Sequence, residues 1–164
     1  MKTSKTMNLE RMVSEGTESA YEALQLYRSK VHRLRSKQNY FHAMEICTSS
    51  TIIFFRYGYE TAGNEMSKLF IEILEESQME LSPESRNLLN SIDSAFSFDS
   101  MSRGIFLKEC LKYSVKIGSR VYGDTLLHTR LAENLWATNE RPLSLKHFAL
   151  GEAPESLWCH VRQS

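Results

Sequence analysis

The sequence predicts an all-α fold, a tetratricopeptide-like α-solenoid of stacked antiparallel helix pairs. Apolar residues recur at helical spacing through segments of roughly 12 to 20 residues. The seven glycines and three prolines fall mostly between those segments, where they punctuate helices. The intervening stretches are short, which folds each helix back on the one before it.

The first segment, Asn8 to Glu15, reads as a short helix that ends before Gly16. Thr17 is placed to cap the second, which runs to about Lys37 with Leu24, Tyr27, Val31 and Leu34 along its inner side. Tyr40 to about Tyr57 stops at Gly58, and Gly63 to Glu76 carries Met66, Leu69, Phe70, Ile73 and Leu74 on one stripe. Ser82-Pro83 is a start signal, because Ser caps and Pro suits the first helical turn. Leu88, Leu89, Ile92 and Phe96 form the face that follows. Ser102 to Ile117, Asp124 to Thr138, Pro142 to Leu150 and Pro154 to Arg162 complete the series. The expectation is therefore one helical repeat domain over 1–164, about eight or nine helices. A degenerate repeat is visible where AYEALQLY and YFHAMEIC each place an aromatic and an Ala at related positions.

The most apolar run, TIIFFRYG from Thr51 to Gly58, is ambiguous by itself between strand and helix. Upstream, Ala43, Ile46 and Cys47 continue its pattern at helical spacing, and Ile52, Ile53 and Phe55 widen the stripe around most of the circumference. A helix apolar nearly all round is buried between neighbours, so this run is expected to be scaffold.

Hydrophobic residues make up 41% of the chain and charged residues 24%, with a formal net charge of zero. No global field favours nucleic acid or an anionic membrane. The N-terminus MKTSKTMNLERM lacks an apolar stretch behind its lysines, so no secretory signal is expected. No segment has the ~20 apolar residues of a membrane span. Cys47, Cys110 and Cys159 are widely spaced with no CxxC pair, which fits reduced thiols in a cytosolic protein.

Charge is patterned locally. Arg28, Lys30, His32, Arg33, Arg35 and Lys37 crowd the end of the second helix. Composition alone favours a solvated face whose cations complement the helix dipole, over a docking surface for an acidic partner. Acidic residues gather later, at Glu60, Glu65, Glu72, Glu75, Glu76, Glu80 and Glu84. Glu65 and Glu72, seven apart, are two turns and ~10 Å apart, too far to share a metal without further ligands. His32, His42, His128, His147 and His160 have no zinc spacing, and no glycine loop suits a phosphate. The residues predict an interaction module with no enzyme chemistry, metal or cofactor.

YEALQLYRSKVHRLRSKQNYFHAMEI, then TIIFFRYGYETAGNEMSKLFIEILEES, resembles the Golgi-to-ER traffic protein four family of helical-repeat adaptors. LKYS and GDTLLHTRLAENLW…SLKHFALGE are similar to later segments of that family, so the likeness runs from about Val13 to Glu152. The resemblance implies a cytosolic adaptor of the pathway delivering tail-anchored membrane proteins to the ER, neither an enzyme nor a membrane-inserted protein. It implies docking on the homodimeric targeting ATPase in its nucleotide-bound form. A ubiquitin-like-domain subunit, bound in the family by the C-terminal half, recruits the cargo-carrying co-chaperone. The family's basic and aromatic docking surface matches Tyr21, Arg28 and Arg33, with Arg35 and Lys37 nearby, and its acidic contact falls on Glu65 and Glu72. The chain departs from the family pattern at Ala20, Leu34, Glu65 and Thr125. A generic tetratricopeptide-like peptide-binding module is the alternative.

Overall fold

A computed structural model describes residues 2–118 and 121–151, with side chains from residue 8 onward. It contains α1 (Lys2–Ser14), α2 (Thr17–Ser36), α3 (Tyr40–Arg56), α4 (Glu60–Ser77), α5 (Pro83–Ala95), α6 (Met101–Ile117), α7 (Thr125–Ala137) and α8 (Arg141–Leu150). No strand occurs among the described residues. The expected helix over Pro154 to Arg162, with Trp158, Cys159 and His160, lies outside them. The fold class is the expected all-α solenoid type of stacked helix pairs.

Three connections are the same device. At the end of α2, Asn39 N–H donates to Leu34 O at 2.9 Å and Gln38 N–H to Arg35 O at 3.0 Å. After α3, Tyr59 bonds back to Phe54 and Gly58 to Phe55; after α7, Glu140 bonds to Leu135 and Asn139 to Trp136. These are Schellman closures, and each needs a left-handed residue at its pivot. Gln38 (φ 58), Gly58 (φ 83) and Asn139 (φ 66) supply it. The residue after each pivot is already the N-cap of the next helix, so the chain reverses within a few residues.

Among the described residues, side chains cap three starts, at Ser82 as expected and also at Ser100 and Asp124, whereas the cap expected at Thr17 is absent. Ser85 N–H donates to Ser82 Oγ at 3.1 Å while Ser82 N–H donates to Ser85 Oγ at 2.8 Å, a reciprocal capping box ahead of Pro83. Asp124 accepts from Leu127 N–H at 3.1 Å. Thr17, however, is the first helical residue of α2, and the N-cap is Gly16, which has no side chain to offer. Helix α4 begins at Glu60, a turn before the expected Gly63. Gly63 instead admits the Phe55 ring of α3, where a Cβ would lie 2.5 Å from a ring carbon.

The helices form two compact units. In the first, α1–α5, helix α3 packs against α1, α2, α4 and α5. Its Ala43, Met44, Cys47, Ile53 and Phe54 are buried, with Ile52 and Phe55 half-buried, so TIIFF is helical and internal. Burial pushes the Cys47 thiol up to about 12, so it is an inert core group.

The second unit packs α7 against α6 and α8. His128 Nε2 lies 2.6 Å from Tyr122 O, so it carries the proton and donates. That leaves His128 Nδ1 to accept from His147 Nδ1, 2.8 Å away, with the rings stacked. Burial, reinforced by His128, Lys146 and Lys108, pushes His147 down to about 4. A histidine lowered in the folded state contributes stability above its ordinary value of 6.5, lost as pH falls towards 4. Discounted for partial exposure, the loss is about 1–2 kcal/mol. Urea unfolding at neutral and mildly acidic pH should show it, and His147→Gln should flatten that component. Identical pH profiles for the two proteins would refute it.

Candidate docking face

Both charge clusters lie in the first unit, on α2 and α4. Tyr21, Arg28 and Arg35 recur every seven residues, so they follow one line along α2. Glu65 and Glu72 repeat the spacing on α4. Because α2, α3 and α4 are joined by consecutive reversals, α2 and α4 run in the same direction and the two lines meet in register. Arg28 Nη1 is 3.3 Å from Glu65 Oε2, and Arg35 Nη1 is 3.6 Å from Glu72 Oε2. Arg35 Nε also donates to Glu76 Oε2. That hydrogen bond, with the charges of Glu76 and Glu72, raises the Arg35 pKa despite partial burial. The result is an ion-pair ladder with one rung per two turns.

The ladder is exposed enough that its energetic role is small. Arg28 and Glu65 have 46% and 44% of their side-chain surface in solvent. Exposed pairs of this kind contribute about 0–1 kcal/mol each. The fold is held by the apolar faces beneath, and the charged side chains remain available to a partner that offers better geometry.

Not every predicted residue joins this face. Arg33 and Lys37 are exposed, but at 100° per residue Arg33 sits about 140–160° around α2 from Arg28 and Arg35. With Lys30 they form a second basic strip. Tyr21, 65% exposed, stands at the other end of the ladder and rims a pocket of about 400 Å³. Ala20, Leu24 and Phe54 contribute apolar walls, while Tyr59, Glu60 and Glu65 bring polar groups to it. The sequence placed Glu60 and Glu76 in the acidic cluster but assigned the docking contact only to Glu65 and Glu72, and it did not single out Tyr59. The run Glu65, Glu72, Glu76, at i, i+7 and i+11, was the available signal for Glu76.

Among the described residues, no three His, Cys, Asp or Glu side chains converge as a metal site would require. No helix among them is long and apolar enough to cross a membrane.

The family model described as Golgi to ER traffic protein 4 matches residues 37–160. This chain belongs to that family. It is similar to the Golgi to ER traffic protein 4 homolog of Homo sapiens, 32% identical over 128 residues, covering 78% of this chain and 39% of the relative. The Bos taurus homolog is 33% identical over 131 residues with the same coverage. A crystal structure of C. therm. Get4 superposes with a TM-score of 0.81 at 27% identity, over 92% of this chain and 48% of that one. The chain thus spans about two fifths of the length of these curated relatives. Glu65, Glu72 and Glu76 fall within the residues matched by the Golgi to ER traffic protein 4 model, whereas Tyr21, Arg28, Arg33 and Arg35 precede them.

Proposed function

We propose that the chain is a cytosolic adaptor in Golgi-to-ER traffic that docks the ATPase targeting tail-anchored membrane proteins to the ER. Family membership supports the pathway. The observation that carries the docking reading is the α2/α4 ladder, with exposed Arg28, Glu65 and Glu72 and half-buried Arg35 beside Tyr21 and its pocket. A partner with complementary charges and an apolar side chain for the pocket would find every contact on one face. The nucleotide-bound ATPase dimer is the partner, and the bound adaptor restrains its hydrolysis while cargo arrives from a co-chaperone. Recruitment of that co-chaperone runs through a ubiquitin-like-domain subunit, which the family resemblance assigns to the C-terminal half of such adaptors.

Charge-guided docking should weaken with salt, because exposed charges are screened over about 10 Å at 0.1 M ionic strength. Calorimetric titration of the chain into the ATPase, with and without ATP, tests the reading. The expected result is micromolar or tighter binding that strengthens with nucleotide and weakens with added salt. No binding in either state would overturn it.

A further inference from the structure

We propose that Ser36, the last residue of α2, is a phosphorylation site for an arginine-directed serine kinase, and that its modification discharges the basic end of the docking helix. The second part rests on the docking function proposed above.

Arginine-directed kinases read cations N-terminal to the acceptor hydroxyl in an acidic cleft, with an Arg three residues upstream as the dominant contact. The stretch Arg33-Leu34-Arg35-Ser36-Lys37 supplies that Arg, a second one adjacent, and a Lys behind. Three serines in the described chain have an Arg at that distance: Ser14, Ser36 and Ser144. Ser144 is fully buried and donates to Ala132 O at 2.6 Å, out of reach of an enzyme. Ser14 is exposed, but its Arg11 is paired with Glu15 at 3.0 Å, and that carboxylate sits directly behind the acceptor. Ser36 is exposed, its hydroxyl bonds only locally to His32 O at 2.8 Å, and Arg33 is exposed. The helix ends at once, with Lys37 as C-cap and the left-handed Gln38 after it, so only the last turn must open to present the hydroxyl. Ser29, within the identical Arg-Ser-Lys triplet seven residues earlier, has Leu26 three residues upstream and serves as an internal control.

In the transfer, Ser36 Oγ attacks the γ-phosphorus of ATP. The Oγ–P bond forms as the bond to the ADP oxygen breaks, and the hydroxyl proton passes to the kinase's basic carboxylate. The product carries a charge of about −2 at the negative end of the α2 dipole. Arg33, one turn back, and Lys37 are its nearest cations, and the phosphate competes with Glu72 and Glu76 for Arg35. Three cations at the end of α2 become a net charge of about +1. A partner surface selected for acidic groups then loses its attraction.

The test is incubation of the chain with ATP·Mg and the catalytic domains of cyclic-AMP-dependent and calcium/calmodulin-dependent kinases, with sites located by mass spectrometry. Phosphate is expected on Ser36 at least tenfold above Ser14 and Ser29. It should vanish in Ser36→Ala and fall at least tenfold in Arg33→Ala, both with the circular dichroism of the parent chain. Incorporation by neither kinase, or undiminished total incorporation into Ser36→Ala, overturns the site. The phosphorylated chain is then titrated into the ATPase beside the unmodified one, with at least a tenfold loss of affinity expected. Equal affinity overturns the regulatory half, whereas failure of both forms to bind overturns the docking function and leaves the modification standing.

Discussion

A chain carrying Arg28→Glu together with Glu65→Arg is expected to melt as the parent does and to lose about a hundredfold in affinity for the targeting ATPase. The fold argument is that the swap re-forms the same rung with its polarity reversed, where Arg28 and Glu65 now stand 3.3 Å apart. Each single substitution opposes two like charges and costs at most about 1 kcal/mol at this exposure. The binding argument is that the partner meets the side chains with reversed signs. Removing one member of a desolvated charged contact costs about 2–5 kcal/mol, which spans the ~2.8 kcal/mol of a hundredfold loss. The double variant separates two roles that either single change confuses. If binding is lost in both singles and restored in the swap, the charges matter only to each other, and the docking assignment to this rung fails. If all three variants bind poorly while the swap melts as the parent does, the partner reads the signs.

The swap is conceivable only because the fold brings together what the sequence kept apart. Arg28 and Arg35 lie in one basic run and Glu65 and Glu72 in a separate acidic one, and each cluster is recognisable at seven-residue spacing. Their pairing depends on α2 and α4 running parallel in register, which no local pattern states. That arrangement is set by two successive Schellman turns, at Gln38 and Gly58. Glycine advertises the second, since φ > 0 carries no steric cost for it. Glutamine does not advertise the first, and Asn139 only weakly, because the left-handed conformation there is imposed by the hydrogen bonds of the closing turn. Burial patterns were more legible: Leu24, Tyr27 and Val31 are inside, as their spacing requires, although Leu34 is only half-buried in the last turn. The start of α4 was hidden for the opposite reason. Gly63 read as a boundary, whereas it is a helix-interior contact that lets the Phe55 ring approach the backbone.

Phe54→Ala should destabilise the first unit by about 3–5 kcal/mol, the usual range for truncating a fully buried phenylalanine. Phe54 is 0% exposed, and its ring meets Tyr27 edge-on with centroids 5.8 Å apart and planes at 76°. The substitution removes this contact and leaves a cavity beside helices α2 and α4, which the backbone closes only in part. Ile52→Ala, two residues earlier, should cost much less, about 1–2 kcal/mol, because Ile52 is only half-buried. The comparison is sharp because a strand over TIIFF would place residues 52 and 54 on the same face and make both losses large. On a helix they lie about 200° apart, so one is core and the other partly solvated. Denaturant unfolding of the two variants distinguishes these cases, and equal losses would refute the helical placement. Phe54 also contributes an apolar wall to the pocket beside Tyr21. A stability-matched comparison should therefore show Phe54→Ala weakening ATPase docking further than Ile52→Ala, because only the first reshapes the surface a partner's side chain would enter.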